Sequence, residues 1–97
     1  MPTYVTLINW TDQGVKNFKD TVDRYEAAQK TMGEGGASFR DVYWTLGPYD
    51  IVSVIDAPDD ETAMAALLSV AGEGNIRTTT LRALSADEMR GVIAKVS

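Results

Sequence analysis

Neither cysteine nor histidine occurs among the 97 residues. The first absence removes disulfides, thiolate metal sites and thiol nucleophiles together. With histidine gone too, nearly every zinc or haem site built from side chains is excluded, and only oxygen ligands for hard cations remain. A Ser-His-Asp or Cys-His triad is excluded as well, and any proton transfer would have to run without the commonest general base. No metal and no cofactor is therefore expected. Long apolar runs are also missing. Nothing approaches the roughly 18 residues of a membrane span, and the opening stretch MPTYVTLINW lacks the basic region and apolar run of a signal peptide. The expectation is a cytoplasmic chain with no membrane contact. Basic charge is sparse: Lys and Arg number 9 against 14 Asp and Glu, and the net charge of −5 repels phosphate backbones. The basic residues form no run, so no nucleic-acid partner is expected.

What is present is ordinary globular material, 44% apolar and 24% charged. The length suits a single domain over residues 1–97, which buries only about two-thirds of the surface its unfolded chain exposes. Thr3 to Trp10 reads as a strand, because Tyr4, Val5, Leu7 and Ile8 favour extended backbone and no turn residue interrupts them. Val15, Phe18, Val22, Tyr25 and Met32 then recur at helical spacing, with Thr11 or Asp12 as cap and Gly33 as terminator. Gly33, Gly35 and Gly36 form a loop without the pattern of a phosphate cradle. Ala37 to Leu46 and Tyr49 to Ala57 read as a hairpin turning at Gly47 and Pro48. A loop of odd length would pair Trp44 with Val52 and Val42 with Val54, making Trp44 a core residue beside Leu46.

Asp59, Asp60 and Glu61 place acid in the first turn of a second helix, whose buried stripe would be Ala63, Met64, Leu67, Leu68 and Ala71. Asn75 to Ala83 is a fourth strand. Ser85 and Glu88 form a capping box for a short last helix, with Met89, Val92, Ile93 and Val96 on its apolar face. The order is βαββαβα: an α+β, ferredoxin-like βαββαβ sandwich with a four-stranded antiparallel sheet and a short C-terminal helix. Two right-handed crossovers cover one sheet face only. The face expected to stay bare carries Tyr4, Ile8, Tyr43, Ile51, Ile55 and Ile76, a larger apolar patch than monomers usually expose. Its expected cover is a second copy of the chain, as a homodimer or higher homo-oligomer. The alternative is that the last helix folds back over it.

The runs YVTLINWTDQG, VYWTLGPYDIV, APDDETA and GNIRTTTLRAL resemble the GYD-domain family, named for a Gly, Tyr and Asp at the hairpin. Those positions would fall on Gly47, Tyr49 and Asp50, with Pro48 intervening. The resemblance covers almost the whole chain. It implies the dimeric α/β-barrel superfamily, and with it a sheet-to-sheet dimer, but leaves the activity open.

Two segments are candidates for function. Asp50 beside Tyr49 could hold a polar ligand or move a proton, although Gly, Pro, Asp and Tyr also serve to brace a turn. Asn9 and Trp10 sit where the first strand hands over to the first helix, and an indole N–H needs a partner when buried. Asn9, Trp10, Tyr49 and Asp50 are thus the candidate ligand-binding residues, with no catalytic residue assigned. Arg77 and Arg82, on opposite faces of the last strand, are candidates to meet Asp41, Asp50 or Asp56. The main functional expectation is a small-molecule-binding or assembly module. Its cavity would lie between sheet and helices, with Trp10, Tyr43, Trp44, Tyr49 and Asp50 at the mouth. The other, which the resemblance to dimeric α/β barrels implies, is a cofactor-independent monooxygenase or isomerase for a small aromatic or enolisable compound, with Asp50 as base or Tyr49 as proton donor and Asn9 and Trp10 orienting the substrate. A closed pocket of a few hundred cubic ångströms around Asn9 and Tyr49 would separate the two from a purely structural subunit.

Overall fold

Strand pairing dictates the architecture of the computed structural model, which describes residues 1–97. Strand β1 (Thr3–Trp10) is followed by helix α1 (Asp12–Lys16), a 3-10 turn (Phe18–Asp20), helix α2 (Thr21–Glu34) and strands β2 (Ser38–Trp44) and β3 (Ile51–Asp56). Helix α3 (Asp60–Ala71), strand β4 (Ile76–Ala83) and helix α4 (Ala86–Ile93) complete the chain. The sheet order is β2-β3-β1-β4 and every pairing is antiparallel, which is the ferredoxin-like α+β arrangement. Side chains alternate faces along a strand, so the register assigns each residue to one side. Ile8 stands opposite Ile51, Thr6 opposite Ser53 and Tyr4 opposite Ile55. All six are buried. The core joins Tyr4 and Ile55 to Met32, Ala37, Ala57, Ala63 and Ala66 from the helices and their junctions. In the middle of that face the Thr6 and Ser53 hydroxyls hydrogen-bond each other and so satisfy two polar groups that burial would otherwise leave costly.

Three expectations are corrected. The helix-covered face is the one carrying Tyr4, Ile8, Ile51, Ile55 and Ile76, and of the residues expected on the bare face only Tyr43 lies there. The hairpin has an even loop. Thr45 N–H donates to the Asp50 carbonyl at 2.9 Å, leaving Leu46 to Tyr49 as the turn, and Trp44 pairs with Ile51 instead of Val52. Gly47 there has φ of 119°, a conformation that L side chains rarely adopt. Trp44 does face the helices, where its indole N–H donates to Thr21 Oγ1 at 3.0 Å, but it is 38% exposed and Leu46 is wholly so. The physical reason is that both alternations of β3 are apolar. Pairing with β1 decides between them, and a bulge between Phe39 and Asp41 resets β2.

The first helix is broken where a continuous one was expected. It stops at Asn17, and the Arg24 guanidinium donates to the carbonyls of Asn17 (2.6 Å) and Gly14 (3.1 Å) freed by the break. Val15, Phe18 and Val22 consequently stay about half exposed, and Met32 alone of that stripe is fully buried. Gly14 allows α1 to approach the Asn75 backbone; a Cβ there would lie 2.0 Å from the Asn75 oxygen.

Candidate functional site

The Gly-Pro-Tyr-Asp hairpin docks against the end of β1 through Asp50. Its backbone N–H donates to the Ile8 carbonyl at 2.9 Å, and its carboxylate Oδ2 accepts the Trp10 backbone N–H at 2.9 Å. The carboxylate therefore ties two strands together across the sheet end. Thr45 Oγ1 donates to the Tyr49 carbonyl at 2.6 Å and closes the turn. Asp50 and Trp10 are thus in direct contact. Asn9 is exposed on the open sheet face opposite Arg77, away from the Trp10 side chain, which lies on the helix side opposite Ile76. The Trp10 indole Nε1 is buried without a hydrogen-bond partner.

Beside Trp10 is an apolar cleft of about 60 Å³ between sheet and α2, lined by Trp10, Tyr25, Phe39, Trp44 and their neighbours. Tyr25 meets the rings of Phe39 and Trp44 edge to face at 5.0 and 5.8 Å. Asn9, Tyr49 and Asp50 do not line it. At that volume it holds a few waters and not a drug-sized ligand. The roomier cavity, about 490 Å³, is an open groove between α3 and the edge strand β4.

At one end of that groove is a cluster that sequence reasoning missed. The hydroxyl of Tyr4 donates to Asp60, Arg82 lies 5.7 Å above the Tyr4 ring, and Arg82 Nε is 3.8 Å from Asp60 Oδ1. The hydrogen bond to the Asp60 carboxylate, followed by burial, raises the Tyr4 pKa, against the opposing pull of Arg82. Of the carboxylates considered for Arg77 and Arg82, Asp56 instead pairs with Arg40, at 2.6 Å. A signal was available: Tyr4 and Arg82 are both on the helix side once β4 is placed beside β1, and Asp60 opens α3 just above them. Asp59, one residue earlier, caps α3 by accepting the Thr62 backbone N–H at 2.8 Å. Hydrogen bonds from Thr62, its side chain first, lower the Asp59 pKa.

The open sheet face is the larger surface feature. Two rows cross it, Tyr43–Val52–Leu7–Thr79 and Asp41–Val54–Val5–Leu81. The four central residues are partly exposed, Tyr43 is 61% and Leu81 48% exposed, and no helix covers them. Only 12 of 97 residues are buried in the chain alone, so apolar surface is left unmatched on this face.

A four-stranded antiparallel sheet with helices on one side and a bare aliphatic stripe on the other defines a small α+β domain of ferredoxin-like type. The family model of the GYD domain matches residues 4–93, and the chain belongs to that family. It is 35% identical over 85 residues to a Thermus thermophilus protein named glutamine synthetase and cystathionine beta-lyase binding protein, covering 87% of this chain and 90% of that one. Among solved structures it is similar to TTHA0845 from Thermus thermophilus, with a TM-score of 0.58 and 25% identity over 89% of this chain and 96% of that one. No helix is long and apolar enough to cross a membrane.

Proposed function

We infer that the chain is a protein-binding assembly module that pairs with a second copy through its open sheet face and holds metabolic enzymes as partners, with no chemistry of its own. The observation that carries the self-association is the bare Val5–Leu7–Val52–Val54 stripe. Four contiguous aliphatic side chains on an otherwise acidic protein gain most by packing against an identical stripe. The enzyme partners are brought over from the name of the Thermus relative, a glutamine synthetase and a cystathionine beta-lyase being the ones to test. Asn9, Trp10, Tyr49 and Asp50, at this end of the sheet, are the proposed ligand contacts within this reading, Asn9 from the open face and the buried, unpartnered Trp10 N–H only from the cleft beside it. Asp50 serves the hairpin there through the Trp10 backbone, and that use supports binding over catalysis.

Val54→Lys tests the self-association. In a lone chain the new ammonium reaches water from the open face, whereas in a face-to-face pair it is buried unpaired. Light scattering should show the mass fall below that of the parent, with the circular dichroism spectrum kept. An unchanged oligomer would place the interface elsewhere. Sedimentation of the parent with the source organism's purified glutamine synthetase and cystathionine beta-lyase tests the partners, and absence of a co-sedimenting species with both would overturn that part.

A further inference from the structure

Helix α4 has no substantial packing partner in its own chain. It is strongly amphipathic, yet Met89, Val92 and Ile93 on its apolar face are 46%, 42% and 59% exposed. The molecule is correspondingly drawn out to 51 × 31 × 18 Å. Helix α3 presents the complementary defect. Its sequence DETAMAALLSVA is apolar nearly all round after the first turn, the pattern of a helix covered on both sides. Ala63 and Ala66 face the sheet, while Met64 and Leu68 are each 64% exposed. Those two, with Leu67, Ala71, Thr78 and Thr80, line the groove of about 490 Å³ between α3 and β4.

We propose that this groove is the seat of α4 from a second copy of the chain. The dimensions are compatible: α4 has 8 residues, about 12 Å, and the groove follows the 12 residues of α3 from Asp60 to Ala71, about 18 Å. The spacing agrees as well, because within α4 Met89, Val92 and Ile93 follow the same helical spacing as Met64, Leu67 and Leu68 in α3. Charge does not set the direction: Arg77 borders the groove from the edge strand without an ion pair, while Asp87 is paired with Arg90 and Glu88 closes the α4 cap. The chain's own α4 lies outside this groove and contributes no residue to its lining. Ser85 Oγ accepts the Glu88 N–H at 3.1 Å and Glu88 accepts the Ser85 N–H at 2.9 Å, fixing the helix just after the two-residue connector Leu84–Ser85. Reciprocal exchange of α4 closes on a two-fold axis, so it needs no open-ended chain of copies. It uses the helix side of the domain and is independent of the sheet-face contact.

The absence of cysteine makes the test clean, since any introduced thiol is unique. A chain carrying Leu68→Cys is mixed with a separate chain carrying Val92→Cys and oxidised, and the products are separated without reductant. Both positions are solvent-exposed in the lone chain, so neither change disturbs its core. The expected product joins one chain of each kind, and it should form equally in the Val54→Lys background, which removes only the sheet-face contact. Self-linking of Val92→Cys in place of the mixed product would mean that α4 meets another α4. A Val92→Cys to Val54→Cys link in its place would put α4 on the sheet face. A Leu68→Cys, Val92→Cys double variant that oxidises wholly within one chain would show fold-back. Any of these three, or loss of the mixed link in the Val54→Lys background, overturns the proposal.

Discussion

Ile55 and Val54 are neighbours in sequence on opposite sides of one sheet, and truncating each to alanine should have unlike consequences. Ile55 is fully buried against Tyr4, Met32 and the small residues of α3. Ile55→Ala removes three carbons, at about 0.8 kcal/mol each about 2.4 kcal/mol of transfer free energy. The cavity left in a core that closes only in part adds about 1 to 2 kcal/mol, for a total of about 4. Against a stability of about 5 to 15 kcal/mol for a small domain, that is a large fraction. Val54→Ala removes two carbons from a partly exposed stripe, so the lone chain should lose under about 1 kcal/mol. Its larger effect should appear as weaker self-association. Urea unfolding at protein concentrations about a hundredfold apart separates the two, because only a loss of association depends on concentration. Equal, concentration-independent losses in both variants, or a loss below about 1 kcal/mol for Ile55→Ala, would refute the assignment of faces.

Asp50→Ala should be less stable than Asp50→Asn, by about 1 to 2 kcal/mol in thermal melts, because the amide oxygen can still accept the Trp10 N–H that alanine leaves unpaired; equal melts would remove the bracing role. Trp10→Phe removes the unpartnered buried donor together with two ring carbons, so the isolated protein should lose about 1 to 2 kcal/mol from packing alone, and a loss above about 4 would reveal an acceptor for the indole. Acid should destabilise the helix starts: the Asp59 and Glu88 pKa values are lowered by hydrogen bonds from Thr62 and from the Ser85 backbone, so stability present above about pH 4 is lost as pH falls through the folded values, and Asp59→Asn should flatten that limb of a pH titration. Alkali should act through Tyr4: its raised pKa means that the folded state holds the proton longer, so stability falls as pH rises above about 10, and Tyr4→Phe should remove that component.

Elements were legible wherever local chemistry decided them. The bounds Thr3–Trp10 follow from an uninterrupted run of strand formers, and the Ser85–Glu88 reciprocal cap is present as its spacing implies. Register was not legible, because Ile51, Ser53 and Ile55 alternate with Val52 and Val54 and both sets are apolar enough to face a core. A one-residue slip exchanges the faces. What selects the isoleucines is pairing with Tyr4, Thr6 and Ile8, which lie more than 40 residues away in sequence. The break at Asn17 was hidden because Val15, Phe18 and Val22 keep the helical period across it. Its support comes from Arg24, a side chain that reads locally as a surface charge. At the candidate site the Asp50–Trp10 contact joins two strands 40 residues apart, so sequence could nominate both residues but not their partnership.

Self-association and partner binding are not independent in a domain built this way. Its thin core makes the lone chain marginal, so whatever covers the exposed aliphatic surface also supplies folding free energy, in proportion to the logarithm of its concentration over its dissociation constant. A partner enzyme that docks on the Val5–Leu7–Val52–Val54 stripe must displace the second copy, and its apparent affinity then falls as the module's own concentration rises. A partner that docks away from the stripe meets an already paired module and binds with an affinity indifferent to that concentration. Pairing also doubles the number of contact points offered, so a multi-subunit enzyme would gain avidity from the paired form without any new contact. The dependence of partner binding on module concentration therefore identifies the surface that the partner occupies.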